Sequence, residues 1–248
     1  MRAIFLDLAG GIGGDMFLAA LCHLGLDPAP LGEALGEAGI EARVRAEPRR
    51  VGGLSGMGLR IEAQAEQPLR HLPEIEAVID RLPLSETVRE RGLDAFRRLA
   101  EVEAAVHGLD VARVHFHEVG AVDTLVDVLG AFWGLEVLGV ERVVSAPLPW
   151  FSGSVVCAHG TLPLPAPATA RLMAGKPVYP TQARDELVTP TGALIVDRLA
   201  GEFAPGPWGT VLAVGVGYGD RVVEGRINGL RLFLYEPHAN REDEAARG

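Results

Sequence analysis

The sequence predicts an α/β fold, with mixed α+β as its near variant. It predicts a single compact domain of alternating strands and helices over residues 1–236 and a polar tail at 237–248. Three observations lead there. Short apolar runs of strand length alternate along the chain with longer stretches of helical period. The 248 residues are 48% hydrophobic and 23% charged, the proportions of a globular domain. No internal repeat or low-complexity tract interrupts them, and a chain this long buries about 70–75% of its unfolded surface without disulfides.

Residues 3–7 form an apolar run ending in Asp7, which reads as a buried strand. The loop Ala9-Gly10-Gly11-Ile12-Gly13-Gly14 follows, and Asp15 opens an apolar helix that stops at Gly25. A second helix spans about 31–38. Residues 40–46 and 58–65 read as a hairpin broken at Gly52-Gly53. Helices follow at about 71–82 and 86–107, the longer one with Thr87 and Glu90 spaced as a capping box. After the extended His115–Glu118, a long helix covers about 120–138. Strands are expected at 143–146 and 154–158, a stiff extended segment at 163–167, and short helices at 168–174 and 189–200. Strands at 211–216 and 230–235 close the domain.

Composition narrows the function. With 23 basic and 33 acidic residues the net charge is −10, the wrong sign for nucleic acid or a membrane surface and suited to cations or small molecules. No apolar run reaches the length of a membrane span, and the first residues read as a strand, so a cytoplasmic location is expected. Two cysteines, Cys22 and Cys157, are too few for a disulfide framework. Only Lys176 among the basic residues is lysine, which removes the lysine of a Walker-type phosphate loop.

Four constellations carry chemistry. Gly11, Gly13 and Gly14 lie between a strand and a helix start, where free N–H groups and the helix dipole suit an anion. Asp7 and Asp15 flank that loop and suit a cation beside it; a tight turn with an N-cap aspartate is the plainer explanation of Asp15. The second constellation is His115-x-His117, at a spacing that puts both imidazoles on one strand face. Glu118 follows, and Asp123 and Asp127 share a helix face, so five potential ligands for a transition metal fall within thirteen residues. Gly130 and Gly134 extend the stripe, as if a ligand or another backbone approached closely. Third, Cys157-x-His159 at strand spacing suits a metal or substrate pocket, or simply core. Fourth, Thr189-Pro190-Thr191-Gly192 reads as helix capping, and its N–H groups equally suit phosphate or carboxylate. The later Gly215-Val216-Gly217-Tyr218-Gly219-Asp220 is weak as a dinucleotide motif because no helix follows it.

Together these segments resemble the LarC nickel-insertion family of nickel-pincer cofactor biosynthesis. The matching pieces are Gly11–Met16, Arg70-His71-Leu72 with Ile75, Val114–Asp123, Ala158–Thr169 and Glu186–Ala193, in order along most of the chain. The resemblance implies a cytidine triphosphate-dependent cyclometallase. Such a protein inserts nickel into pyridinium-3,5-bisthiocarboxylic acid mononucleotide, with Mg²⁺ or Mn²⁺ accompanying the nucleotide. Gly10 and Gly13 stand where the family usually carries serine. Family members continue past the end of this chain into a ferredoxin-like module that holds the cytidine nucleotide, so a C-terminal partner chain is expected. The implied roles are Asp15 as catalytic residue and His115, His117, Glu118, Asp123 and Asp127 as metal-binding residues. Gly11, Gly13, Gly14, His159, Thr189 and Thr191 are implied for substrate or phosphate. Two other functions suit the same residues: a metal carrier or scaffold without turnover, and a divalent-metal phosphohydrolase.

Overall fold

A computed structural model describes residues 1–63, 71–116, 122–157, 160–220 and 227–238. The apolar start forms strand β1 (Arg2–Asp7), and the glycine loop turns it into helix α1 (Gly14–His23). Next come α2 (Ala29–Glu37) and the hairpin β2 (Ala42–Val51) and β3 (Leu54–Ala63). The hairpin turns at Gly52-Gly53 as the sequence predicts, with its strands paired in full register from Ala42↔Ala63 to Val51↔Leu54. Helices α3 (Leu72–Arg81), α4 (Glu86–His107) and α5 (Val122–Val137) make the helical middle.

The second half holds β4 (Val140–Ser145), β5 (Leu148–Trp150), β6 (Ser154–Cys157), β7 (Gly160–Pro163) and α6 (Pro167–Met173). After β8 (Val178–Pro180) and α7 (Pro190–Leu199), the chain ends in β9 (Glu202–Phe203), β10 (Gly209–Tyr218) and β11 (Gly229–Pro237). The sequence signalled neither β5, β8 nor β9, which are two or three residues long and too short to show a period.

Seven strands form one mixed sheet in the order β2-β3-β10-β11-β1-β4-β9. The last strand, β11, inserts antiparallel between β10 and β1, while β4 runs parallel to β1. Alternation along β1 assigns the faces. Ile4 and Leu6 enter the main core with α1, α5 and α7, whereas Ala3 and Phe5 join Val144 and Tyr235 in a small cluster on the opposite face.

Helix α1 is apolar all round because it is covered on every side, by the sheet, α5 and α7. Its contact with β10 is close. A Cβ on Gly217 would stand 1.9 Å from the Met16 carbonyl oxygen, so the glycines of the 215–219 motif let strand and helix backbones touch. Gly130 and Gly134 do similar work on α5, facing Leu18, Leu21, Leu26 and Leu31 rather than a ligand.

Capping differs from the spacing argument at α4. The cap is Ser85, whose Oγ accepts the Val88 N–H at 3.2 Å, and Thr87 already lies inside the helix. The expected cap motif was two residues out because Ser85 is the first hydroxyl the chain offers there.

Candidate functional site

The β1–α1 connection builds the floor of the site. Asp7 ends β1, and its Oδ1 accepts the Ala9 N–H at 3.1 Å while Arg231 donates to Oδ2. Asp7 is thus committed to a turn and an ion pair, and the expected pairing of Asp7 with Asp15 around a cation is corrected. Gly11 sits at φ +93°, a conformation that favours glycine, with the Leu187 carbonyl oxygen 2.3 Å from where a Cβ would stand.

That close approach joins two segments the sequence presents separately. Ile12 donates its N–H to Leu187 O at 2.7 Å and its carbonyl accepts the Thr189 N–H at 3.1 Å, a parallel bridge between the glycine loop and the start of α7. Thr189 caps α7 through its Oγ1, which accepts the Gly192 N–H at 3.0 Å. The N-termini of α1 and α7 therefore lie side by side, with Gly11, Gly13, Gly14, Thr189 and Thr191 around them. Two dipole ends and their amide groups give this corner a positive local field.

Carboxylates surround the same corner. Asp15 is in the first turn of α1, not at its cap, which is Gly13 with no side-chain bond. Its Oδ1 lies 2.6 Å from a Cβ position on Gly13 and its Oδ2 3.0 Å from one on Gly219. Asp127 reaches up from α5, its Oδ2 2.3 Å from a Cβ position on Gly14. Asp123, one turn earlier on α5, and Asp220, after β10, stand at the solvent side. The four run from an exposed mouth to a buried end: Asp220 and Asp123 are exposed, Asp15 is half-buried and Asp127 is 8% exposed.

Their charges are poorly compensated. Burial pushes the Asp127 carboxyl well above the usual aspartate range, with Asp15 and Asp123 adding to the rise and the Asp15 backbone N–H offsetting part of it. Burial also raises Asp15, with Asp220 contributing, while Arg49 and the Met16 and Asp220 N–H groups oppose. Asp123 is raised by burial and then by Asp220. Arg49, from β2, is the nearest cation, and it is already engaged: it donates to the Gly219 carbonyl and to Asp220 Oδ1, both at 2.6 Å. Asp127 Oδ1 has no hydrogen-bond partner among the described residues. A buried carboxylate oxygen in this state favours taking up a proton.

The expected five-ligand cluster is not brought together within the described residues. Asp123 and Asp127 line the acidic cleft, and His115 contacts His71 instead, ring centroids 3.9 Å apart. His117, Glu118 and His159 lie outside the described residues. Among those described, no three His, Cys, Asp or Glu side chains stand close enough to hold one ion. Cys22 is buried, its thiol pushed up to about 12 by burial with Asp27 adding, and Cys157 is half-buried on β6; both are free. Sequence reasoning missed Asp220 as a member of this carboxylate group. Asp220 ends the glycine motif at 215–219, but only the fold brings it over the α1 N-terminus.

Fold and side-chain placement define a class: a mixed α/β protein with two adjacent helix N-termini beside four aspartates whose charges are poorly compensated. The chain belongs to the nickel insertion protein family, whose sequence model matches residues 4–247. It is 43% identical over 239 residues to a provisionally named nickel insertion protein of Geotalea daltonii, covering 95% of this chain and 61% of the relative. A similarly named protein of Thermomicrobium roseum is 44% identical over 253 residues, covering 99% and 61%. The pyridinium-3,5-bisthiocarboxylic acid mononucleotide nickel insertion protein of Desulfitobacterium hafniense is 42% identical over 220 residues, covering 88% and 55%. The chain thus spans about three fifths of the length of the curated relatives it matches. No solved structure matches it. Among the described residues, no helix is long and apolar enough to cross a membrane.

Proposed function

We propose that this chain carries the metal- and substrate-handling part of a nickel insertion reaction on pyridinium-3,5-bisthiocarboxylic acid mononucleotide, in the cytoplasm. The observation that supports it most is Asp127 Oδ1, without a hydrogen-bond partner among the described residues, at the end of four carboxylates beside two helix N-termini. Nickel is a substrate here. Forming a nickel–carbon bond on the pyridinium ring breaks a C–H bond, and the departing proton needs a base. Asp15, at the border between the anion corner and the acidic cleft, is placed for that role. The amides around Gly11, Gly13, Gly14, Thr189 and Thr191 would hold the substrate's phosphate.

Cytidine triphosphate with Mg²⁺ or Mn²⁺ belongs to the same proposal. The donor set fits such a helper ion, because hard divalent cations take carboxylate oxygens and keep several waters. Asp123 and Asp127 are the residues that would hold it in this chain, and bound there it would neutralise charge beside the phosphates. The nucleotide itself is assigned to a region resembling the remainder of the longer relatives, on a continuation of this chain or on a partner chain. The test is nickel insertion by this chain with nickel, cytidine triphosphate and the pyridinium mononucleotide, with and without that region. Insertion only when the region is added is expected. Robust hydrolysis of simple phosphate esters by the chain alone would instead identify a phosphohydrolase.

A further inference from the structure

Two imidazoles that lie far apart in sequence meet, with no carboxylate among the described residues close enough to share one ion with them. His71 precedes α3 and His115 stands in the extended stretch before Phe116; their ring planes are tilted by 57° with centroids 3.9 Å apart. The Nδ1 of His71 is 3.1 Å from the Val114 carbonyl oxygen. A carbonyl only accepts, so in the tautomer whose Nδ1–H donates to it the lone pair sits on Nε2. Metal-ligating histidines are held this way, the second ring nitrogen donating to a backbone carbonyl that fixes tautomer and orientation. The His71 main chain is also anchored, its N–H donated to Glu74 Oε2 at 3.0 Å. His71 is half-buried and His115 exposed.

We propose that His71 and His115 form a nickel-capture site separate from the acidic cleft, two imidazoles binding an ion that otherwise keeps its waters. This rests on the nickel-insertion reading and deepens it by dividing metal entry from chemistry. Donor type supports the division: imidazole suits nickel, whereas the cleft offers only oxygen, which suits Mg²⁺ and Mn²⁺. Two protein ligands select the ion without trapping it, which a site that must hand its metal on requires.

The experiment is calorimetric titration of the full chain with Ni²⁺, together with X-ray absorption at the nickel edge to count imidazoles. His71→Phe and His115→Phe keep an aromatic ring at each position and remove the nitrogens. His71→Asn, whose amide keeps a donor for Val114, serves if the Phe variant fails to melt cooperatively. Two imidazoles per nickel are expected in the wild type and one in each variant, with affinity roughly tenfold or more weaker. Unchanged affinity and imidazole count in the His71 variants would overturn the proposal. So would full insertion activity in both variants when the completing region and all substrates are supplied. If the wild type inserts no nickel under those conditions, the function fails while the titration still decides the pair.

Discussion

Asp127 occupies the space that any side chain on Gly14 would need, its Oδ2 2.3 Å and its Cβ 2.6 Å from the Cβ position. The contact locks the first turn of α1 onto α5 and sets the buried end of the acidic cleft. Gly14→Ala is therefore expected to lower stability by about 1–3 kcal/mol, as overpacking does, and to displace Asp127. Chemical denaturation beside a divalent-cation titration checks it. Wild-type stability with wild-type cation affinity would show that the helices do not depend on this contact.

The burial of Asp127 fixes a pH dependence. Its ordinary value is 3.8, and burial with Asp15 and Asp123 raises it in the folded protein. Above 3.8 the folded state holds the proton more tightly than the unfolded chain, so stability of the metal-free protein falls as pH rises. The fall levels off above the raised folded value. Asp127→Asn removes the Asp127 share of this slope and, near neutral pH, is expected to be more stable than wild type by about 1–3 kcal/mol, because it takes away a charge that burial disfavours. In a chain of this size each kcal/mol is roughly 2–4 °C in Tm. Mg²⁺, which suits carboxylate oxygens, would stabilise the wild type and leave the variant unmoved. Parallel melts between about pH 4 and pH 8, with and without metal, decide it.

The sheet, the long helices and the hairpin were legible because each repeats its own period over many residues. Asp123 and Asp127 were legible as neighbours because a helix places i and i+4 on one face. What was not legible arises between elements. His71 meets His115, and the glycine loop bridges to Leu187, only once the chain has folded, and no local spacing encodes either contact. Asp7 misled for the same reason: its partner Arg231 comes from the last strand, inserted beside the first.

At Asp15, the proposed base, activity and stability can be told apart. It is not the helix cap, so Asp15→Asn forfeits only a charge near the helix start, about 0.3–1 kcal/mol, against which burial and Asp220 already work. Stability should change by less than about 1 kcal/mol in either direction, while nickel insertion in the complete system falls by about 10²-fold or more, as loss of a general base does. Rates compared with melting temperatures test this. Activity that merely follows Tm would make Asp15 structural.

Asp197 provides the opposite case, an ion network with no link to the site. It lies on α7 with its side chain 7% exposed, paired with Lys176, Arg98 and Arg198, while Arg198 reaches on to Asp94 of α4. Burial disfavours the charged form, but the hydrogen bond and charge of Lys176, then Arg198 and Arg98, outweigh it and hold the carboxyl below its ordinary value. A depressed value means that the network contributes stability above pH 3.8, lost as pH falls through the folded value. Lys176→Met removes the most enclosed cation and leaves Asp197 with its two arginines. It is expected to cost about 1–3 kcal/mol, below the full penalty for an uncompensated buried charge. The variant should show a weaker acid transition together with unchanged nickel affinity per folded molecule. Denaturation across the acid range beside a nickel titration tests both halves. A loss of nickel binding in this variant would mean that α7 transmits strain to the anion corner through Thr189.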